Sequence, residues 1–368
     1  MLKLKYVYAA AILAALVFAL GIWNPFPAKA DRGVSLVPPK FKVDPFWPKP
    51  LPAPGGHQWV TGEPGGSCVD SRDHIFTVNR GNLTANDGTT SVASPPVLEY
   101  DPEGNLVNSW GDRTILPDGL HGCFFDQQDN IYIAGNADAI VQKYTHDGTL
   151  LLQIGTKGLF DTSDGTATGT PLNSSHTLLH RPADIAVDPE NGDIYIADGY
   201  GNFRVVVFDK NGNFLRQWGS GPGTDPGQFG TSGHPHCVVL GKEGLVYTCD
   251  RANHRIEVFD KQGTWLRDIR VDPPSPLDQS TLRACDIDFS IDKNQTWIYD
   301  TDLGSDKVWI MNRSLGTIVG SLGRAGQMAG EFIFPHTATV DSKGNLYVAE
   351  TVNGRRIQKF VNLGHSPE

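Results

Sequence analysis

Basic residues are in short supply: Lys and Arg total 31 against 41 Asp and Glu, a formal net charge of -10. Nucleic-acid binders concentrate Lys and Arg on one face, and no such cluster is visible, so no nucleic-acid partner is expected. Cysteine is scarce and odd in number, with five in the chain. Their spacing follows no known disulfide framework. Cys68, Cys123, Cys237 and Cys285 each fall in a short apolar strand, which predicts buried thiols packing as small hydrophobes. Helix-rich composition is missing too. The 41 Gly and 25 Pro, with 39% hydrophobic residues, indicate many short strands and turns, and 368 residues suffice for one large β architecture.

One long apolar run stands at the start. Lys3 and Lys5 precede Tyr6 to Trp23, and Ala28-Lys29-Ala30 offers the small-x-small pattern of a signal-peptidase site, so residues 1–30 read as a signal peptide cleaved after Ala30. The alternative is an uncleaved anchor, with membrane attachment through residues 6–23, because about 18 apolar residues just span a bilayer. Either reading exports the globular part to the periplasm or the extracellular space. Residues 31–56 are too proline-rich for a helix and read as an extended tether, leaving residues 57–368 as a single domain.

Self-similarity sets the fold. "GGSCVDSRDHIFTVNR", "HGCFFDQQDNIYIAGN", "PADIAVDPENGDIYIADGY", "PHCVVLGKEGLVYTCDR", "ACDIDFSIDKNQTWIYDTD" and "PHTATVDSKGNLYVAET" each read as strand, turn, strand, usually followed by a third and a fourth strand. Six such units predict an all-β, six-bladed β-propeller, which leaves only short, protected sheet edges. The last unit is one strand short, and "HQWVTG" at His57 to Gly62 looks like a fourth strand without its first three. An N-terminal strand is therefore expected to close the ring. The repeat resembles the NHL type, most clearly in "RPADIAVDPENGDIYIADGYGNFRVVVFDKNGNFLRQWG". Such propellers are often scaffolds, so fold alone names no activity.

Anchoring the six units on Asp70, Asp126, Asp188, Gly241, Asp288 and Asp341 and counting back five residues gives Gly65, His121, Ala183, His236, Arg283 and His336. Histidine occupies alternate blades. Equivalent positions on alternate blades lie about 120° apart around the ring axis, so His121, His236 and His336 should converge as a metal site. With 11 His in 368 residues, coincidence accounts for such a triple well under about 1% of the time. Three imidazoles with an open fourth position suit catalytic zinc, and iron or copper would also accept them. The second strand of each blade returns to the histidine end, bringing Arg80, Arg251 and Tyr200 to the same mouth. Two arginines there would hold a carboxylate, and their charge is expected to lower the Tyr200 pKa toward general-base range.

The set "TVNRGN", "GLHG", "ADGYGNFR", "HPHCVVL", "CDRANHRI" and "FPHTATV" resembles the peptidyl-α-hydroxyglycine α-amidating lyase family over about residues 57 to 361. The resemblance implies zinc on His121, His236 and His336, a catalytic tyrosine at Tyr200 and functional arginines at Arg80 and Arg251. It also implies cleavage of the N–Cα bond of an N-acyl-α-hydroxyglycine-like small molecule or peptide to an amide and glyoxylate, by a monomer. Three positions depart from the family. Phe334 stands for a methionine, Thr337 for the carboxylate that holds a structural calcium, and Gly201 for a disulfide cysteine after the tyrosine. Calcium is therefore not expected to bind as in the family, unless carbonyls near Ser67 and Cys123 contribute. Two rival readings are a non-catalytic NHL-type binding scaffold and a metal-dependent, lactonase-like hydrolase. The latter type uses Glu, Asn and Asp around calcium, where this chain offers imidazoles.

Overall fold

A computed structural model describes residues 37–231, 234–274, 280 and 282–364; the signal or anchor segment at residues 1–30 lies outside these. Apolar residues alternating along short strands bounded by Gly, Asp and Asn turns give six four-stranded antiparallel sheets, the blades of a propeller. The innermost strands of blades one to six are Pro64–Val69, Leu120–Phe125, Asp184–Val187, Val238–Leu240, Ile287–Phe289 and Pro335–Val340. Six clusters of buried apolar side chains fill the gaps between neighbouring blades. Phe76 and Val78 meet Ile131 and Ile133 between blades one and two, for example, and Tyr299 and Ile310 meet Val340 and Val348 between five and six. At the inner hairpins the anchor aspartates close the turn: Asp70 Oδ1 accepts the amides of Arg72 and His74 at 2.9 and 2.8 Å, and Asp341 treats Lys343 and Asn345 alike.

The ring closes through an N-terminal strand, as expected, but a different one. Phe41–Asp44, within the stretch read as a tether, pairs antiparallel with Arg356–Asn362 from Phe41 opposite Asn362 to Asp44 opposite Lys359. Gln58–Val60 instead pairs in parallel with Ser91–Ala93. The reason is distance. A fourth strand lies three strand spacings, about 14 Å, from the inner strand, which the three residues between Val60 and Pro64 would cross only as a fully extended chain with no room to turn. The segment after the closing strand is also packed: Trp47 is 4% exposed, its ring centroid 4.8 Å from that of Tyr347 and 5.7 Å from that of Tyr100, which seals the junction of blades six and one.

Four of the five cysteines are oxidised, correcting the expectation of free thiols. Cys68 and Cys123 join the inner strands of blades one and two, with Cα atoms 5.7 Å apart, and Cys237 pairs with Cys249 across blade four. Only Cys285 remains a buried thiol. Converging inner strands bring Cys68 and Cys123 together across 55 residues, a proximity that sequence spacing does not reveal.

Candidate metal and catalytic centre

The hairpin register corrects blade five. The amide of each anchor bonds a carbonyl at or just before the start of the second strand: Asp70 to His74, Gly241 to Leu245 and Asp341 to Asn345. In blade five the residue that does so is Ser290, bonded to Trp297 across a longer turn, rather than Asp288. Counting back five from Ser290 gives Cys285, not Arg283. Arg283 lies off the axis with its guanidinium toward the Val271 carbonyl at 3.4 Å. The inner ring thus reads Gly65, His121, Ala183, His236, Cys285, His336, three imidazoles alternating with three small residues.

The three histidines converge as predicted. Their ring centroids are 4.7, 4.9 and 5.1 Å apart, their nearest ligand atoms lie within 4.8 Å of one another, and each residue is 2% exposed. Each is aimed by the backbone of the next blade. His121 Nδ1 bonds the Ala183 carbonyl at 2.7 Å and His236 Nδ1 the Cys285 carbonyl at 2.6 Å. His336 Nδ1 faces the Gly65 carbonyl in the equivalent place, without reaching good hydrogen-bond geometry. Small residues are needed at these carbonyls for the strands to approach: a Cβ on Gly65 would lie 1.9 Å from the Leu120 oxygen. Because an Nδ1–H donating to a carbonyl fixes the tautomer, the Nε2 lone pairs are directed inward as acceptors.

Tyr200 stands over this triad. Its hydroxyl is 3.1 Å from His121 Nε2 and 2.9 Å from His236 Nε2. A phenol carries one proton, so it satisfies at most one of those two lone pairs. Burial holds all three imidazoles neutral, pushing the His336 pKa down to about 3 and those of His121 and His236 well below the ordinary value, with the neighbouring arginines acting the same way. Buried, uncharged, inward-facing nitrogens that lack donors fit a divalent metal ion, and the all-imidazole donor set fits zinc.

The loops bearing Tyr200 and Arg251 are held by the same repeat chemistry. Asp198 Oδ2 accepts from Arg204 Nε at 3.0 Å and Asn202 Nδ2 at 2.8 Å, and Asp250 Oδ2 accepts from Arg255 Nε at 2.9 Å and Asn253 Nδ2 at 2.7 Å. Each trio clamps the end of the second strand, from which the functional side chain projects. Arg251, 7% exposed, places its guanidinium 5.7 Å from the Tyr200 ring centroid. Arg80 is half-buried, paired with Glu63 at 2.7 Å and donating to the Leu120 carbonyl at 3.1 Å. The expectation of a lowered Tyr200 pKa is overturned: burial raises it, and this outweighs the opposing pull of Arg251 and Arg80. Gly201 has a steric reason, since a Cβ there would lie 2.2 Å from the His180 ring and no cysteine fits. Thr337 offers only a hydroxyl, engaged with Ser67 at 2.9 Å.

Sequence reasoning missed Asp184, Asp286 and Asp288, which line a cavity of ≈ 350 Å³ below the histidines. Their signal was an Asp one residue past the inner-ring position in blades three and five. Burial raises all three carboxyl groups, Asp288 to about 7. Among the described residues one further His-carboxylate cluster, Asp70, Glu99 and His146, encloses the Arg72 guanidinium, which already supplies a cation at 2.8 Å from Asp70 and 3.0 Å from Glu99.

Known proteins bear on this geometry in two ways. The NHL repeat matches residues 179–208 and 233–259. Human NHL repeat-containing protein 3 is 27% identical over 88% of this chain and 84% of its own length. Peptidyl-glycine alpha-amidating monooxygenase B of Xenopus laevis is 38% identical over 54% of this chain but only 22% of its own. Peptidyl-alpha-hydroxyglycine alpha-amidating lyase 1 of Drosophila melanogaster is 27% identical over 46% of this chain and 30% of its own. Among solved structures a streptogramin B lyase covers 88% of this chain and 98% of its own, with a TM-score of 0.55 at 14% identity, a likeness of fold alone. The chain is a six-bladed propeller carrying NHL repeats, with amidating enzymes among its distant relatives.

Proposed function

We propose that this protein is a zinc-dependent carbon–nitrogen lyase that cleaves N-acyl-α-hydroxyglycine-like substrates into a primary amide and glyoxylate. One observation carries the reading: three buried neutral imidazoles, aimed by backbone carbonyls, converge beneath a tyrosine hydroxyl that lies within reach of two of them. The partial matches to an amidating monooxygenase and a hydroxyglycine lyase support it.

The chain's own groups divide the work. Arg251 and Arg80 hold the substrate carboxylate and fix the hydroxyl-bearing carbon near Tyr200. Zinc held by His121, His236 and His336 would supply a Lewis acid whose charge would lower the proton affinity of the substrate hydroxyl and of the nearby phenol. Tyr200, as phenolate, takes the hydroxyl proton. The oxygen lone pair then forms the aldehyde C=O as the N–Cα bond breaks, and Tyr200 returns the proton to the departing amide nitrogen. Burial excludes water and keeps phenol and guanidinium in register.

Export underlies this proposal, either as a secreted or periplasmic protein or as one anchored through residues 6–23, and the two disulfides support an oxidising compartment. The substrate is a small molecule or peptide, and the working unit a monomer. Glyoxylate release from an N-acyl-α-hydroxyglycine, measured beside metal content, tests the reading. About one equivalent of zinc and product from the intact protein are expected. Bound metal without product would retire the lyase, and a metal-free, inactive protein would favour the binding scaffold.

A further inference from the structure

Below the histidines the channel changes character. Asp184 and Asp286 each follow the inner-ring residue, Ala183 and Cys285, on blades three and five, and so stand at one level. Asp288 lies two residues further along the same strand run as Asp286, on the same side, about 7 Å toward the far face. All three line the cavity that His121 and His236 cap. Each carboxylate accepts one backbone amide of the next blade, Asp184 from Val238 at 3.0 Å, Asp286 from Ala338 at 2.9 Å and Asp288 from Val340 at 2.7 Å. None has a lysine or arginine partner among the described residues. The cavity does not end there. Asp288, Phe124, Phe125 and Val239 also line a wider groove of ≈ 750 Å³, so Asp288 marks the junction between the groove and the histidines.

On the other side of the imidazoles stand Arg251, its guanidinium 5.7 Å from the centroid of the Tyr200 ring whose hydroxyl reaches two of them, and Arg80, bonded to the Leu120 carbonyl next to His121. A dication approaching that way meets two guanidiniums, one of them paired with Glu63, whereas the groove, which carries Lys210 and a Lys143 paired with Asp126, narrows to a passage whose charged groups are the three aspartates. We infer that the acidic passage from the groove past Asp288, Asp286 and Asp184 is the route by which the metal ion reaches the imidazoles, while the anionic substrate uses the arginine face. This rests on the metal reading above and adds a direction to it. Clefts lined by one sign of charge raise the rate at which the opposite ion arrives by about 10- to 1000-fold, and the effect falls with salt. Because burial raises all three carboxyl groups, Asp288 to about 7, the steering operates above pH 7, where Asp288 is ionised, and uptake is to be followed there.

The experiment follows zinc uptake by chelator-stripped full-length protein, mixing it rapidly with zinc and a chromogenic zinc chelator. Uptake by the unaltered protein should slow as salt rises, and Asp288→Asn should slow it about tenfold at low salt while the final zinc stoichiometry stays the same. Asp118→Asn, an exposed carboxylate on the arginine side beside Glu63, should leave the rate alone. The salt dependence needs no variant, so it stands even if Asp288→Asn folds poorly. Uptake that quickens with salt, or an unchanged rate in Asp288→Asn, would overturn the route and leave the metal site intact. Zinc that fails to bind the unaltered protein, or binds equally to His236→Ala, would overturn the metal reading and the route with it.

Discussion

The two halves of the channel are built from the same six inner hairpins and are electrostatic opposites. Above the imidazoles, Arg80, Arg251 and Tyr200 project from the ends of second strands, and the loops that bear Tyr200 and Arg251 are clamped by Asp–Asn–Arg trios. Below them, Asp184, Asp286 and Asp288 project from the inner strands and bond to neighbouring backbone amides. In a propeller, level along the axis is set by position in the hairpin, so one repeat can carry cations at one level and carboxylates at another without disturbing the blade cores. Chemistry is layered along the axis, while stability lies between the blades.

The largest test removes the layer that separates the halves. His236→Ala should abolish stable zinc binding and lower glyoxylate release by at least about 10³-fold, read by metal analysis and product assay. Tyr200→Phe keeps the ring and loses the proton acceptor: activity should fall by about 10²–10⁴-fold with zinc content unchanged, which separates the upper layer from the metal layer. Arg251→Met should raise KM about 10- to 100-fold, as expected for losing a charged hydrogen bond to a carboxylate, and a substrate ester should show a much smaller difference between the two proteins.

The smallest effects concern pH, and the two layers should respond with opposite sign in metal-free protein. His336 has a folded pKa near 3 against about 6.5 unfolded, so its stabilising contribution is complete above pH 6.5 and is lost as pH falls toward 3. Asp288 has its folded pKa raised to about 7 from an ordinary 3.8, so its contribution is complete below pH 3.8 and is lost as pH rises through 7. Between pH 4 and 6.5 the stability difference between unaltered protein and His336→Gln should therefore move by about 1.4 kcal/mol per pH unit in one direction. For Asp288→Asn it should move by a similar amount in the other. Denaturant titrations across that range check both slopes.

Much of this was legible beforehand. Blades, NHL-type repeats and the triple of histidines follow from periodicity, because equivalent positions in a repeat become equivalent positions around an axis. Blade five was misread by two residues, since "DIDFSID" offers several acidic anchors and only the Ser290–Trp297 backbone bond identifies the turn. The closing strand was hidden because Phe41–Asp44 is only four residues long and sits among prolines that argue for a tether. The Cys68–Cys123 disulfide escaped because its partners meet through blade packing, whereas Cys237 and Cys249 face each other within the blade-four hairpin, where the strand register pairs them. The sign of the Tyr200 shift was wrong because burial, which competes with the arginines, cannot be judged from residue order.

By itself, the amino-acid order determined the number of blades and five of the six residues around the axis, since a repeat length is a property of the chain. Tertiary structure alone decided what faces what. It decided which carbonyls aim the imidazoles, which segment seals the ring, which cysteines touch, and that carboxylates and guanidiniums lie on opposite sides of the histidines. Those outcomes depend on distances of a few ångströms between groups remote in sequence, and on the loss of water around them.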